Sequence, residues 1–174
     1  LGAALPMIID ESDGDLDAFP AALALGYSGV STKNCKGLYK SLVNAARVAR
    51  LRGPGPGRAP FMSAEDLTTW PGPSLQQDLA LVGLIGLDHV ERNAQHFIDG
   101  MSFAPRDEQL GFAAAHPALY DMGSGTARLR APGGVIDLRS LSCPGFAVGA
   151  ALDFAAMEAM PPAPRGRIVP SAGR

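Results

Sequence analysis

Two groups of ionisable residues stand at the ends of short apolar runs: Asp10-Glu11-Ser12 after Pro6-Met7-Ile8-Ile9, and Lys33-Asn34 after Gly29-Val30-Ser31-Thr32. An apolar run closed by charge is the pattern of a strand buried along its length whose C-terminal tip meets solvent or ligand. Asp15 to Gly26 is long enough for one crossover helix, so the two strands can be parallel neighbours. A carboxylate and an amine, Asp10 and Lys33, then share one rim as an acid–base pair. In α/β folds the carboxyl end of the sheet is where sites are built.

The elements that must position these groups follow in order. Pro6 to Asp10 reads as a buried strand, followed by a helix with an acidic first turn (Asp15, Asp17), an apolar set of Leu16, Phe19, Ala22 and Leu23, and Gly26 as its left-handed cap. Tyr27 to Lys33 is a second strand and Cys35 to Leu51 a second helix. Leu38, Leu42, Ala45 and Val48 form the apolar stripe of that helix, and Lys40, Asn44, Arg47 and Arg50 are expected to face water. Gly53-Pro54-Gly55-Pro56-Gly57 breaks regular structure as a surface loop. A third strand from Pro60 ends near Ala64-Glu65-Asp66. Ser74-Leu75-Gln76-Gln77 matches a capping box and opens a helix that runs to Gly86. Leu87 to Asn93 is the fourth strand, and its period of two puts His89, Glu91 and Asn93 on one face.

Alternation of strand and helix argues a parallel sheet. Beyond Asn93 the pattern is less regular. Asp107 to Ala115 reads as a short helix stopped at His116-Pro117, residues 126–130 and 134–138 as a hairpin across Ala131-Pro132-Gly133, and Ala150 to Met160 as a last helix. The tail from Pro161, rich in Pro, Gly and Arg, reads as disordered.

At 174 residues the chain can bury one sizeable core. Its 15 basic and 17 acidic residues leave a formal charge of -2, so there is no basic field for nucleic acid or an anionic membrane. Cys35 and Cys143 are too few for a disulfide framework and lack zinc-type spacing, which makes a reducing cytoplasm the expected setting. The longest apolar run, Leu79 to Leu87, is about half a membrane span. No secretory signal is visible. The chain opens on Leu1 and soon reaches a strand, which suggests a piece of a longer protein.

Asp10-Glu11-Ser12 at one strand end, Lys33 at the next, Glu65 at the third and a polar fourth strand together resemble the C-terminal barrel half of the enolase superfamily, on its muconate-lactonizing and mandelate-racemase side. The resemblance covers Pro6 to Asn93 well and the remainder loosely. It implies that residues 1–100 are strands five to eight of a (β/α)7β TIM-like barrel, that residues 101–160 return to a capping region, and that residues 161–174 form the tail. It also implies a magnesium ion held by three carboxylates on successive strands, of which only Asp10 lies in this chain. The other two, and a lysine pair, would precede Leu1.

The implied reaction is removal of a proton from the carbon next to a carboxylate, as in racemases, epimerases, cycloisomerases and dehydratases. A hard cation on oxygen ligands offsets the charge that develops on the substrate oxygens. Sites of this superfamily pair a lysine or histidine base with magnesium. Lys33 would be the base, Asp10 the metal ligand, and Glu11, Ser31, Glu65, Asp66, Glu91 and Asn93 the residues facing a small carboxylate substrate. No His lies between Lys33 and His89, which argues against a histidine dyad. Glu65 is followed by Asp66-Leu67-Thr68-Thr69, where the racemase side often has Ser and small residues. Partners implied are the substrate and either a second copy of the chain or a missing N-terminal half.

Plainer readings stand beside these. Asp10-Glu11 can cap a helix, Lys33 can be a solvated loop lysine as Lys36 is expected to be, and Glu65-Asp66 can acidify a loop. His96 and His116 are read as structural or surface residues, and Cys35 as a packed thiol with no base to serve it. The competing functional reading is a non-catalytic, truncated half-barrel lacking a complete metal site, whose open strand edges pair with another half. A nucleotide-binding doubly wound fold has less support: Gly123-Ser124-Gly125 follows no expected strand, and there is no phosphate-loop lysine motif.

Overall fold

β1 (Ile8–Ile9), β2 (Gly29–Thr32) and β3 (Phe61–Ala64) form a parallel sheet in that order. Ile8 faces Gly29 across the first pair, and Gly29 to Thr32 face Phe61 to Ala64 across the second. This computed structural model describes residues 5–52, 59–65, 69–92, 97–157 and 159. The expected loop at Gly53–Gly57 and the tail from Pro161 lie outside them, as do Asp66, Asn93 and His96.

Alternation decides which side of the sheet is dry. Ile9, Val30 and Met62 are buried against Phe19 and Ala22 of α1 (Ala18–Ala24) and Val48 of α2 (Leu38–Leu51). Burying a side chain of this size is worth about 1.5–3 kcal/mol, so these contacts fix the helices to one face. Ser31 and Ser63, paired in register, point to the other face. Lys33 and Glu65 follow two residues later on the same side. Gly29 is required where β2 meets β3, because a Cβ there would sit 2.2 Å from the Phe61 carbonyl oxygen.

Several expected boundaries shift. Among the described residues the first strand pairs only at Ile8–Ile9, as an edge strand with one partner, and Met7 is exposed. Leu16 lies before α1 and is exposed, while Gly26 does take a left-handed conformation after the helix. The second helix does not begin at Cys35: Asn34–Lys36 is a 3-10 turn, Gly37 at φ 104° interrupts it, and α2 starts at Leu38. Asn44 does not face water. It is buried and donates to the Asp13 carboxylate at 3.4 Å, because the Asp13 loop folds over that side of α2.

α3 (Pro73–Ile85) starts one residue before the expected capping box. Gly72 is its N-cap, Pro73 supplies the first turn, and Ser74 makes no cap hydrogen bond; Gly86 ends it in the left-handed region. The fourth strand contracts to a single bridge between Ala64 and Val90, with the Ala64 amide donating to His89 O and the Glu91 amide to Ala64 O. The polar residues around Val90 leave too little apolar surface to extend the ladder.

The C-terminal half departs most from expectation. α4 (Arg106–Ala115) ends before His116 as expected. β5 (Arg128–Leu129), however, pairs antiparallel with β4 (Tyr120–Asp121), so the hairpin lies across residues 122–127. Gly123-Ser124-Gly125 therefore does follow a strand, yet it leads into another strand and opens no helix. Gly133 and Gly134, both at positive φ, turn the chain away after β5, and Ile136 and Leu138 pack on the core. The expected helix from Ala150 reduces to a 3-10 turn at Phe154–Ala156 capped by Asp153. Phe154 is 70 % exposed, so no apolar stripe holds a longer helix there.

These segments bury their own core, with Met101, Phe112, Leu119 and Leu141 around Leu75 and Leu79 of α3. α3 thus serves both cores, since Ile85 packs on the sheet side. Among the described residues, no helix is long and apolar enough to cross a membrane.

Candidate functional site

The sheet brings Asp10, Lys33 and Glu65 together because each follows the last residue of one of three adjacent parallel strands. Lys33 is 6 % exposed. Its Nζ lies 2.7 Å from Glu65 Oε1 and 3.8 Å from both Asp10 Oδ1 and Glu11 Oε1. Glu11 is mostly exposed, while Asp10 and Glu65 are largely covered. Ser31 donates from Oγ to Glu65 Oε2 at 3.2 Å, fixing the carboxylate that receives Lys33.

Electrostatics follows from this enclosure. Burial works against the Lys33 ammonium, but its hydrogen bond to Glu65 and the charges of Glu65, Asp10 and Glu11 outweigh that and raise its proton affinity. Burial also pushes the Glu65 carboxyl up, and its hydrogen bond with Asp10 adds to this against the pull of Lys33. Asp10 is held well below the usual carboxylate range: burial opposes its charge, but hydrogen bonds with Glu65 and Lys36 prevail. Lys33 therefore stands as a protonated ammonium, whereas a general base must be neutral.

Lys36, expected to be solvated, is not. Its side chain is 9 % exposed, and Nζ donates to the Asp10 carboxylate, to Asp10 O at 2.8 Å and to Ser31 O at 3.3 Å. A 3-10 turn has three residues per turn, so Lys36 returns to the side from which Lys33 leaves. That spacing of three was the available signal, but the α-helical reading from Cys35 placed Lys36 elsewhere.

The donor set suits a hard dication. One oxygen each from Asp10, Glu11 and Glu65 lie within 4.8 Å of one another. An octahedral magnesium ion, with oxygens at about 2.1 Å, places neighbouring ligands about 3 Å apart and opposite ones about 4 Å apart. In this structure two ammonium groups share these carboxylates.

His89 Nδ1 is 2.8 Å from Ser63 Oγ, on the polar side of β3, and both His89 and Glu91 are exposed. Cys35 is an exposed thiol rather than a packed one. It lines a cleft of about 330 Å³ with Asn34, Thr69, Trp70 and Gln77, next to the Lys33 strand tip. His116 is fully buried and structural, bonded to Ser140 Oγ at 3.1 Å and Val148 O at 2.8 Å. Sequence reasoning also missed Asp13, which is buried and paired with Lys40 Nζ at 3.1 Å.

No known protein family, curated protein or solved structure matches this chain.

Proposed function

We propose that residues 1–100 are strands five to eight of an enolase-type barrel, and that their rim belongs to a site removing the proton next to a substrate carboxylate. The observation that carries this reading is the Lys33 ammonium, enclosed by Asp10, Glu11 and Glu65 at the carboxyl ends of three adjacent parallel strands. Asp10 would be one of the magnesium ligands. When bound, the ion would offset the negative charge that builds on the substrate's carboxylate oxygens and favour the neutral form of Lys33.

The chain's own residues do the rest. Lys33 Nζ would first have to release its own proton to water, which loss of its carboxylate partners to an ion would favour, and only the neutral amine could then take the substrate proton. Ser31 orients Glu65, and the cleft beside Asn34 and Trp70 has room for the remainder of a small carboxylate. Glu11 and Glu91 would face the substrate, and Asp66 and Asn93, expected to do the same, lie outside the described residues. The two free cysteines fit a cytoplasmic setting.

The test is proton exchange in deuterium oxide with magnesium, following the α-proton signals of a panel of 2-hydroxy and 2-amino carboxylates by NMR. Exchange by the complete barrel that contains these strands, lost in Lys33→Ala, is the expected result. Equal exchange in the variant removes Lys33 from the reaction.

A second reading is a non-catalytic half-barrel that pairs with another half or copy. It is favoured by the resting charge state, in which Lys33 and Lys36 both neutralise the acids. In that case sedimentation shows self-association and magnesium causes no exchange at all.

A further inference from the structure

The C-terminal core holds a pair of side chains that neither reading of the strand tips uses. His116 Nδ1 is 3.1 Å from Ser140 Oγ, and His116 Nε2 is 2.8 Å from Val148 O. A carbonyl oxygen only accepts, so Nε2 carries the ring proton, Nδ1 of the neutral ring offers its lone pair, and the Ser140 hydroxyl is the donor. The surroundings hold this arrangement. The ring is fully buried, whereas Ser140 keeps partial contact with solvent. Gln76 Nε2 donates to the same Val148 carbonyl at 3.3 Å, and Gly149 passes over the ring so closely that a Cβ there would lie 2.7 Å from Nε2. Phe146 and Ala147, at φ 50° and 66°, are the non-glycine residues in the left-handed region among the described ones. Such conformations persist only where the surrounding structure over-determines them, and here they lie in the loop that brings Val148 to the ring.

We infer that Ser140 is a nucleophile and His116 its general base, in a site that hydrolyses small carboxylic esters. Nucleophile and base stand within hydrogen-bond reach and a third group orients the base, which is the signature of an activated serine; here that third group is a backbone carbonyl. Ala118, two residues after His116, and Arg139, directly before Ser140, line a cleft of about 380 Å³ with Arg130 and Val135, which has room for a small ester. Ser140 Oγ attacks the ester carbon as its proton passes to His116 Nδ1; the C–O bond to the alcohol breaks, and the alcohol leaves with that proton. Water then attacks the acyl group on Ser140 and gives a proton to Nδ1, and the acid is released as that proton returns to Ser140 Oγ. The net reaction is ester and water to acid and alcohol. The pair is no part of the Lys33 cluster, so this inference is independent of the proposed proton abstraction.

The test treats the full chain with a fluorophosphonate, which loses fluoride to an activated serine oxygen, and locates the adduct by peptide mass spectrometry. Ser142, exposed and outside the pair, is the internal reference. Ser140 should be labelled at least about tenfold faster than Ser142, since general-base assistance is typically worth ~10²–10⁴-fold. That advantage should vanish in His116→Gln, and hydrolysis of p-nitrophenyl acetate should fall by a similar factor in Ser140→Ala. The two serines are compared within one chain, so the result stands even if the His116 variant does not fold. Equal labelling of Ser140 and Ser142, labelling of Ser140 that survives in a folded His116→Gln, or unchanged ester hydrolysis in Ser140→Ala overturns the inference.

Discussion

Lys33 Nζ and Glu65 Oε1 meet at 2.7 Å from positions one residue beyond the ends of neighbouring parallel strands, directly after the paired residues Thr32 and Ala64. The register of β2 on β3 therefore fixes the contact, and a slip of either strand by one residue would turn its own side chain to the helix face and break the pair. A double-mutant cycle with Lys33→Met and Glu65→Gln should give a coupling of about 1–3 kcal/mol in denaturant unfolding. Additive effects would mean that the pair forms no interaction in solution.

Tyr120 makes stability depend on alkaline pH. Burial raises the proton affinity of its phenol, against the opposing effect of the Gly72 amide that donates to its hydroxyl at 2.8 Å. The unfolded chain loses this proton near pH 10 while the folded chain keeps it, so stability falls by about 1.4 kcal/mol per pH unit above that point. Lys33, also raised, acts in the same direction. Tyr120→Phe should reduce the slope of stability against pH by one proton. An unchanged slope would place the phenol in water.

Asp13 anchors the loop after β1 to α2 through Lys40 and Asn44. Asp13→Ala leaves a largely covered ammonium and a buried amide without this acceptor, and should cost about 1.5–3 kcal/mol in chemical denaturation. A loss below about half of the lower figure would show that Lys40 reaches water instead.

Gly29→Ala should lower stability by about 3 kcal/mol or more, because the added methyl meets the Phe61 carbonyl in the middle of the sheet. Thermal unfolding measures it, and a drop in melting temperature of only a degree or two would contradict the close approach.

The parallel sheet was legible because its strands bury one face against α1 and α2, and burial leaves an apolar run closed by charge in the sequence. Asp10, Lys33 and Glu65 were legible for the same reason, since a strand tip is where such a run ends. Asn44 was misread because helical periodicity reports the average face of α2, whereas one buried aspartate from a loop reverses a single position. The C-terminal pairing was missed because β4 and β5 are two residues each, too short for alternation to register. There the turn glycines and the packing on α3 determine the path, and neither leaves a periodic trace.

Among the described residues, Asp10 extends from the most weakly fastened strand of the sheet, two paired residues with one neighbour. A tip held so lightly opens more readily than the middle of a ladder. Its grip on any positive group is consequently governed by how often β1 peels from β2 as well as by charge, and the two lysines serve as rivets for the very strand whose acid they neutralise.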